Sequence, residues 1–174
     1  MDELKYPIGK FISKDSYSSE EISANISRIA SLPSQLSSAV AGFTEKKFDT
    51  PYRDEGWTVR QLIHHIADSH LNAYIRIKWT LTEDSPIIKA YNEKMWATTL
   101  EVSCDPQISI KLIEAHHAKW VELLKRLTPS DLEKHFIHPE TLRQVKLKTL
   151  VALYAWHSDH HLAHITKLKD RMGW

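Results

Sequence analysis

The chain has 174 residues, with 23 Lys and Arg against 22 Asp and Glu and a formal net charge of +1. This length suits one compact domain, residues 1–174, whose core can form without disulfides or structural metals. The balanced charge shows no basic cluster, so nothing points to nucleic acid or an anionic membrane as a partner.

The sequence also bears on location. No stretch approaches the roughly 20 apolar residues that span a bilayer, and Met1–Lys5 lacks the charged-then-apolar layout of a signal peptide. The single cysteine, Cys104, cannot form an internal disulfide, which fits a reducing compartment. We therefore expect a cytoplasmic protein, with Cys104 at a loop or helix end rather than acting as a reactive thiol.

Four glycines and long stretches with a 3.6-residue period predict an all-α bundle. After an irregular arm, a first helix begins near Ser18 or Ser19 and is kinked or split in two at Pro33. Residues 48–56 form a loop. Thr58 and Gln61 then supply a capping box, which starts a second helix that runs to about residue 82.

The second half of the chain continues the helical pattern. Residues 86–102 indicate a loop with a shorter helix, and Asp105-Pro106 starts a long helix that runs to about residue 127. Residues 136–145 form either a small hairpin or an irregular crossover. From about Lys148 a final helix runs to the C-terminus.

This final helix carries four of the eleven histidines between residues 156 and 164. His157 and His161 fall within its apolar stripe, whereas His164 lies at the edge and His160 well off it. We expect His160 to face solvent or to pack on a neighbouring helix. Because His157 and His161 lie one turn apart on one face, they have the spacing at which a divalent metal can bind both.

A third ligand is expected from another helix. One cysteine excludes a Cys-rich structural zinc site, and catalytic zinc usually has three protein ligands and an open position. The second helix offers His64, His65 and His70. His70 lies on its apolar stripe and the other two flank the stripe, so spacing alone does not choose among them.

Longer motifs carry a family resemblance. Residues 50–61 (TPYRDEGWTVRQ) and 64–70 (HHIADSH) resemble the signature of the YfiT-like branch of the DinB superfamily. Residues 6–9 (YPIG), the block 156–165 and the terminal RMGW also match, so that the similarity covers essentially the whole chain.

The resemblance implies a four-helix bundle, often a homodimer, in which three histidines hold one zinc or nickel ion per chain. Carried over by position, these ligands are His65, His157 and His161. Such proteins are described as metal-dependent hydrolases, here acting on a small-molecule substrate. Some relatives are instead thiol S-transferases that use bacillithiol or a similar low-molecular-weight thiol.

Both activities suit the same three ligands. Neutral imidazoles leave the charge of the ion uncompensated, so the pKa of a bound water can fall toward about 7, and a thiolate can take the same position. Asp68, one turn after His65, and more weakly Asp159, are candidates to orient the ligand rings, although Asp68 is equally well explained as a solvated carboxylate. Because no general base stands out, a non-catalytic metal-binding stress protein stays open.

Other motifs give no support to further enzyme classes. Residues 157–161 (HSDHH) have Ser where a zinc peptidase has its general-base Glu, and residues 114–117 contain only one Glu-x-x-His, whereas a di-iron bundle has two. There is no glycine-rich phosphate loop and no Gly-x-Ser-x-Gly elbow. Trp57 and either Tyr91 or Trp96 are candidates for the wall of a pocket.

Overall fold

The structure, a computed structural model, describes residues 2–174; Met1, where the predicted domain begins, lies outside them. The described chain is mostly helical, which confirms the all-α class. None of its helices is long and apolar enough to cross a bilayer. The helices are α1 (Asp2–Lys5), α2 (Ser19–Ala39), α3 (Glu45–Phe48), α4 (Val59–Thr82), α5 (Glu93–Trp96), a 3-10 helix (Leu100–Ser103), α6 (Gln107–Leu124), α7 (Pro129–Glu133) and α8 (Leu147–Met172), and the strands are β1 (His135–Ile137) and β2 (Gln144–Lys146).

Four of these helices, α2, α4, α6 and α8, have 18 or more residues and form a bundle. Helix α2 packs against α8 and α6, and α4 packs against the same two helices. The order around the bundle is therefore α2, α8, α4, α6, with α2 diagonally opposite α4. This arrangement makes α4 and α8, the two histidine-rich helices, direct neighbours.

The predicted starts of the first two long helices are confirmed, whereas α6 begins at Gln107, one residue after the predicted Pro106. Ser18 and Thr58 are N-caps, and each forms a complete capping box with the residue three positions on. Helix α2 continues through Pro33 as one element, so a split there is wrong. Both sides of the proline are held in the core, since Ile29 and Leu36 are fully buried.

The segment before α8 forms the hairpin rather than the crossover. Strands β1 and β2 pair antiparallel, with Phe136 opposite Val145. Phe136 is buried and joins the core. Helix α8 then begins at Leu147, one residue before the predicted start. The hairpin thus covers one end of the bundle.

The core consists of two apolar clusters with a layer of histidines between them. The first contains Ile29, Ala73, Trp120 and Tyr154, and the second contains Leu32, Ile66, Ile113 and Ile165. On α6 and α8 the buried histidines fall between the members of the two clusters, as does His70 on α4, whereas His64 and His65 lie among members of the second cluster. Buried polar side chains need hydrogen-bond or metal partners, so the histidine layer is the candidate location of a functional site.

Candidate metal centre

Helix α8 places His157 and His161 side by side, as the apolar stripe predicts. Their Nε2 atoms are 3.0 Å apart. His161 is buried and His157 is partly buried, and both line an open cleft. Two ring nitrogens at this distance either share one proton or direct both lone pairs at a cation between them.

His65 on α4 faces this pair across the helix interface. Its ring centroid lies 5.5 Å from that of His157 and 5.0 Å from that of His161. One ring nitrogen from each of the three side chains lies within 4.8 Å of the others. The structure therefore brings together the three predicted ligands, including His65, which spacing alone did not select.

The three rings open into a cleft of about 610 Å³. Trp57 lines it and packs on His65 with ring centroids 4.6 Å apart. Of the other aromatic residues predicted for a pocket wall, Tyr91 and Trp96 contact each other with ring centroids 4.7 Å apart and do not line this cleft. The rest of its lining is Lys5, Tyr6, Tyr52, Arg53, Glu55, Gly56, Glu93, Lys94, Trp156, His160 and His164.

Burial keeps the three imidazoles neutral. It lowers the pKa of His65 to about 4, with His160 contributing further. It also lowers the pKa of His157 and His161 well below the usual value. Their ring nitrogens therefore carry lone pairs at neutral pH, which is the form that binds metal.

The donor set fits a divalent transition metal. Three neutral imidazoles suit zinc, nickel, copper or iron, and no thiolate is at hand because Cys104 is exposed elsewhere. The Nδ1 atom of His161 is buried without a hydrogen-bond partner in residues 2–174. With a metal ion bound, Nδ1 can carry the ring proton and Nε2 can supply its lone pair to the ion.

The two carboxylates predicted to orient the ligands lie differently. Asp68 is half-buried three residues after His65 on α4, but among residues 2–174 its carboxylate forms no hydrogen bond with a histidine. Burial, followed by the charge of Glu101, raises its pKa to about 6. Asp159 binds the guanidinium of Arg28 at 2.7 Å and is thus committed to α2.

Of the two alternatives expected for His160, exposure to solvent is wrong, and the segment that covers it is the N-terminal arm rather than a helix of the bundle. His160 is buried, stacks on Trp156 at 4.4 Å and lies near Tyr6 of the N-terminal arm. The arm folds back over α8, since the Trp156 indole donates to the Gly9 carbonyl. The period of a single helix carries no information about such a covering segment.

His164, predicted at the stripe edge, is also buried, with its Nε2 atom 3.1 Å from that of His160. Together with His161 these residues form a second group with the spacing of metal ligands. Burial, His160, and then Arg53, Arg171 and Lys167 lower the pKa of His164 to about 3. The three nearby cations oppose a metal ion there, so the group that contains His65 is the better site.

Three further histidines have roles that sequence reasoning left open or missed. His64 on α4 bonds the Ser109 hydroxyl at 2.8 Å. His70, fully buried, bonds both His157 and His117. The position of His70 on the apolar stripe indicated burial, but nothing in the sequence predicted His117 as its partner.

Comparison with known proteins places the chain in a family. Residues 28–165 match the model of the DinB superfamily. A Bacillus cereus protein is 47% identical over the full length of both chains, and Bacillus subtilis YfiT is 45% identical over 98% of this chain and 97% of its own. Both relatives are named for an inferred metal-dependent hydrolase activity.

Two solved structures are also similar. The YfiT structure, described as an unusual four-helix bundle of a metal-dependent hydrolase type, superposes with a TM-score of 0.96, 44% identity and 99% coverage of each chain. The mycothiol-dependent maleylpyruvate isomerase has a TM-score of 0.60 with 16% identity, covering 80% of this chain and 60% of its own, which shows a shared fold. The chain belongs to the DinB superfamily, in the branch that contains YfiT.

Proposed function

We propose that the protein is a metal-dependent hydrolase of small molecules in which His65, His157 and His161 hold one divalent ion per chain, zinc first and nickel second. The observation that carries the proposal is the meeting of three neutral imidazoles from two helices in the lining of one cleft. The names of the YfiT-like relatives support the same class of activity.

The ion would supply Lewis-acid chemistry, making water a nucleophile near neutral pH. The chain itself supplies the setting. Trp57 covers one side of His65 and limits the access of bulk water from that direction. Lys5, Arg53 and Lys94 on the cleft wall, interspersed with Glu55 and Glu93, can bind polar groups of a substrate. The cleft volume of about 610 Å³ suits a small molecule rather than a polymer.

Metal content tests the ligand set. We expect about one equivalent of a first-row divalent metal per chain by elemental analysis of purified protein. His65→Ala, His157→Ala and His161→Ala should each lose it. His116→Ala is the matched control, because His116 is also a buried histidine but lies on α6 with no hydrogen-bond partner in the described chain. Equal metal loss in all four variants would contradict the proposed ligands.

Activity tests the reaction class. Metal-loaded protein should turn over at least one member of a panel of small esters, amides and phosphoesters, and His157→Ala should not. Each assay is repeated with and without a low-molecular-weight thiol. A strict requirement for the thiol would replace hydrolysis by thiol transfer, and bound metal without turnover of any substrate would favour a metal-binding protein.

A further inference from the structure

A chain of hydrogen bonds crosses the whole bundle and ends at the proposed metal ligand His157. The Ile29 carbonyl of α2 lies 2.8 Å from His117 Nδ1 of α6. His117 Nε2 lies 2.9 Å from His70 Nδ1 of α4. His70 Nε2 lies 3.0 Å from His157 Nδ1 of α8. No hydrogen bond joins these three rings to a carboxylate within residues 2–174.

Pro33 explains why this series of hydrogen bonds begins at the Ile29 carbonyl. In a regular helix the Ile29 carbonyl would accept from the backbone N–H four residues on, but that residue is Pro33, which has no N–H. The carbonyl is fully buried with Ile29 and would otherwise lack its helical donor. His117 on the adjacent helix supplies a donor in its place.

The carbonyl then fixes the direction of every bond in the chain. A carbonyl only accepts, so His117 Nδ1 must carry a proton, and burial, which lowers the pKa of His117 to about 4, leaves its Nε2 as an acceptor. His70 must therefore donate from Nδ1 and accept at Nε2. His157 must donate from Nδ1, which leaves the lone pair on Nε2, the atom that faces His161.

The contact between His117 and the Ile29 carbonyl excludes the opposite direction of these hydrogen bonds. That direction would require His117 to donate from Nε2, and its Nδ1 lone pair would then face the Ile29 carbonyl oxygen at 2.8 Å. Two buried acceptors at that distance repel each other, and neither would be satisfied. The Ser69 hydroxyl, 3.4 Å from His157 Nε2, is placed to donate to the lone pair that the favoured direction leaves there.

We propose that His117 and His70 are positioning residues that hold His157 in the tautomer protonated on Nδ1, so that its Nε2 lone pair faces the cleft before any ion arrives. The part that concerns metal affinity rests on the proposed function, whereas the tautomer can be observed in metal-free protein. A ligand ring held in the binding tautomer and orientation loses less freedom on coordination, which raises affinity.

The first test uses the wild-type protein and needs no substitution at His117 or His70. Two-bond ¹⁵N–¹H correlation spectra of metal-free protein at neutral pH, with the His157 signals assigned by their loss in His157→Gln, report which ring nitrogen holds the proton. We expect Nδ1 for His157, His70 and His117. Protonation of His157 on Nε2 would overturn the inference whether or not the protein binds metal.

The second test compares variants at adjacent buried histidines. His117→Phe removes both bonds and should weaken zinc binding about 10- to 100-fold in competition with a chelator, with a mixture of tautomers at His157. His116→Phe should change neither. His117→Gln should restore the tautomer and most of the affinity, because one amide group can donate to Ile29 and accept from His70.

These results separate the two proposals. Unchanged zinc affinity in a folded His117→Phe protein, shown by its melting curve, would overturn the positioning role. Wild-type protein that binds neither zinc nor nickel but shows His157 protonated on Nδ1 would end the proposed function while supporting the proposed direction of the hydrogen bonds.

Discussion

At the scale of single residues, Arg60 is a buried arginine that forms ion pairs with two carboxylates. It is only 7% exposed. Its guanidinium binds the Asp49 carboxylate at 2.7 Å, the Cys104 carbonyl at 2.9 Å and Glu45 on α3. The planar fork of arginine suits several acceptors at once. Arg60 therefore ties the start of α4 to α3 and to the loop before α6.

We predict that Arg60→Met lowers the free energy of unfolding by about 2 kcal/mol, because methionine fills the space but removes the ion pair with Asp49 and leaves the Cys104 carbonyl with only its 3.4 Å contact to His64 Nε2. Urea denaturation measures this. The control is Arg126→Met, since Arg126 is 76% exposed in its ion pair with Glu122 and should change stability by less than about 0.5 kcal/mol. Equal effects in the two variants would show that the contacts of Arg60 contribute no more than a surface pair.

At the scale of helices and strands, local sequence signals decide where the long helices begin. The Thr58 hydroxyl accepts from the Gln61 N–H at 3.2 Å, and the Gln61 side chain accepts from the Thr58 N–H at 3.0 Å. His65 follows Thr58 by seven residues, about two turns, on the same helix. The capping box thus sets the start of the element that presents a proposed ligand.

Removing this cap should therefore be measurable. Thr58→Ala is predicted to cost about 1 kcal/mol of stability by thermal or urea unfolding, because it leaves the Gln61 N–H without its partner. Thr44→Ala is the matched control, since Thr44 is the N-cap of α3 without a side-chain hydrogen bond. A loss as large in Thr44→Ala would show that the threonine side chain acts by some route other than capping.

The helices and strands differ in how well the sequence predicts them. The long helices follow from apolar periodicity and from caps at Ser18 and Thr58, which are local signals. The short helices α3 and α7 contain four and five residues, too few for a period to appear. The hairpin could not be chosen over a crossover, because that choice depends on packing Phe136 against the bundle.

The residues of the candidate site also fall into those that the sequence predicted and those that it did not. His157 and His161 follow from one helix, and His65 follows from the resemblance. The burial of His160 depends on the arm folding over α8, and the partnership of His70 with His117 depends on how α4 packs on α6. Neither contact has a local signature, since the partners are separated by many residues along the chain.

At the scale of the whole molecule, the buried histidine layer should make the metal-free fold sensitive to acid. Burial lowers the pKa of His116 to about 4, against 6.5 without burial. Between these values the unfolded chain binds a proton that the folded chain does not, so stability falls as the pH drops from about 6.5 toward 4. The pKa values of His65, His117 and His160 are also lowered to about 4, so these histidines act in the same window.

His116→Phe isolates one such proton. With chelator present, urea unfolding at several pH values between about 4.5 and 6 should show the free energy rising with pH less steeply than in wild type, by about 1.4 kcal/mol per pH unit. Asp68, whose pKa is raised to about 6, acts in the opposite direction and offsets one proton in both proteins. Identical slopes would mean that His116 is protonated in the folded state.

Pro33 has a consequence that extends far beyond its own helix. Pro33 has no amide hydrogen to donate within α2, and the imidazole of His117 on α6 donates to the Ile29 carbonyl instead. In His70 and then His157, the nitrogen that donates is determined by the nitrogen that accepts in the preceding ring. In the proposed arrangement, a proline on α2 decides which ring nitrogen of His157 holds the proton, although α2 contributes no side chain to the cleft.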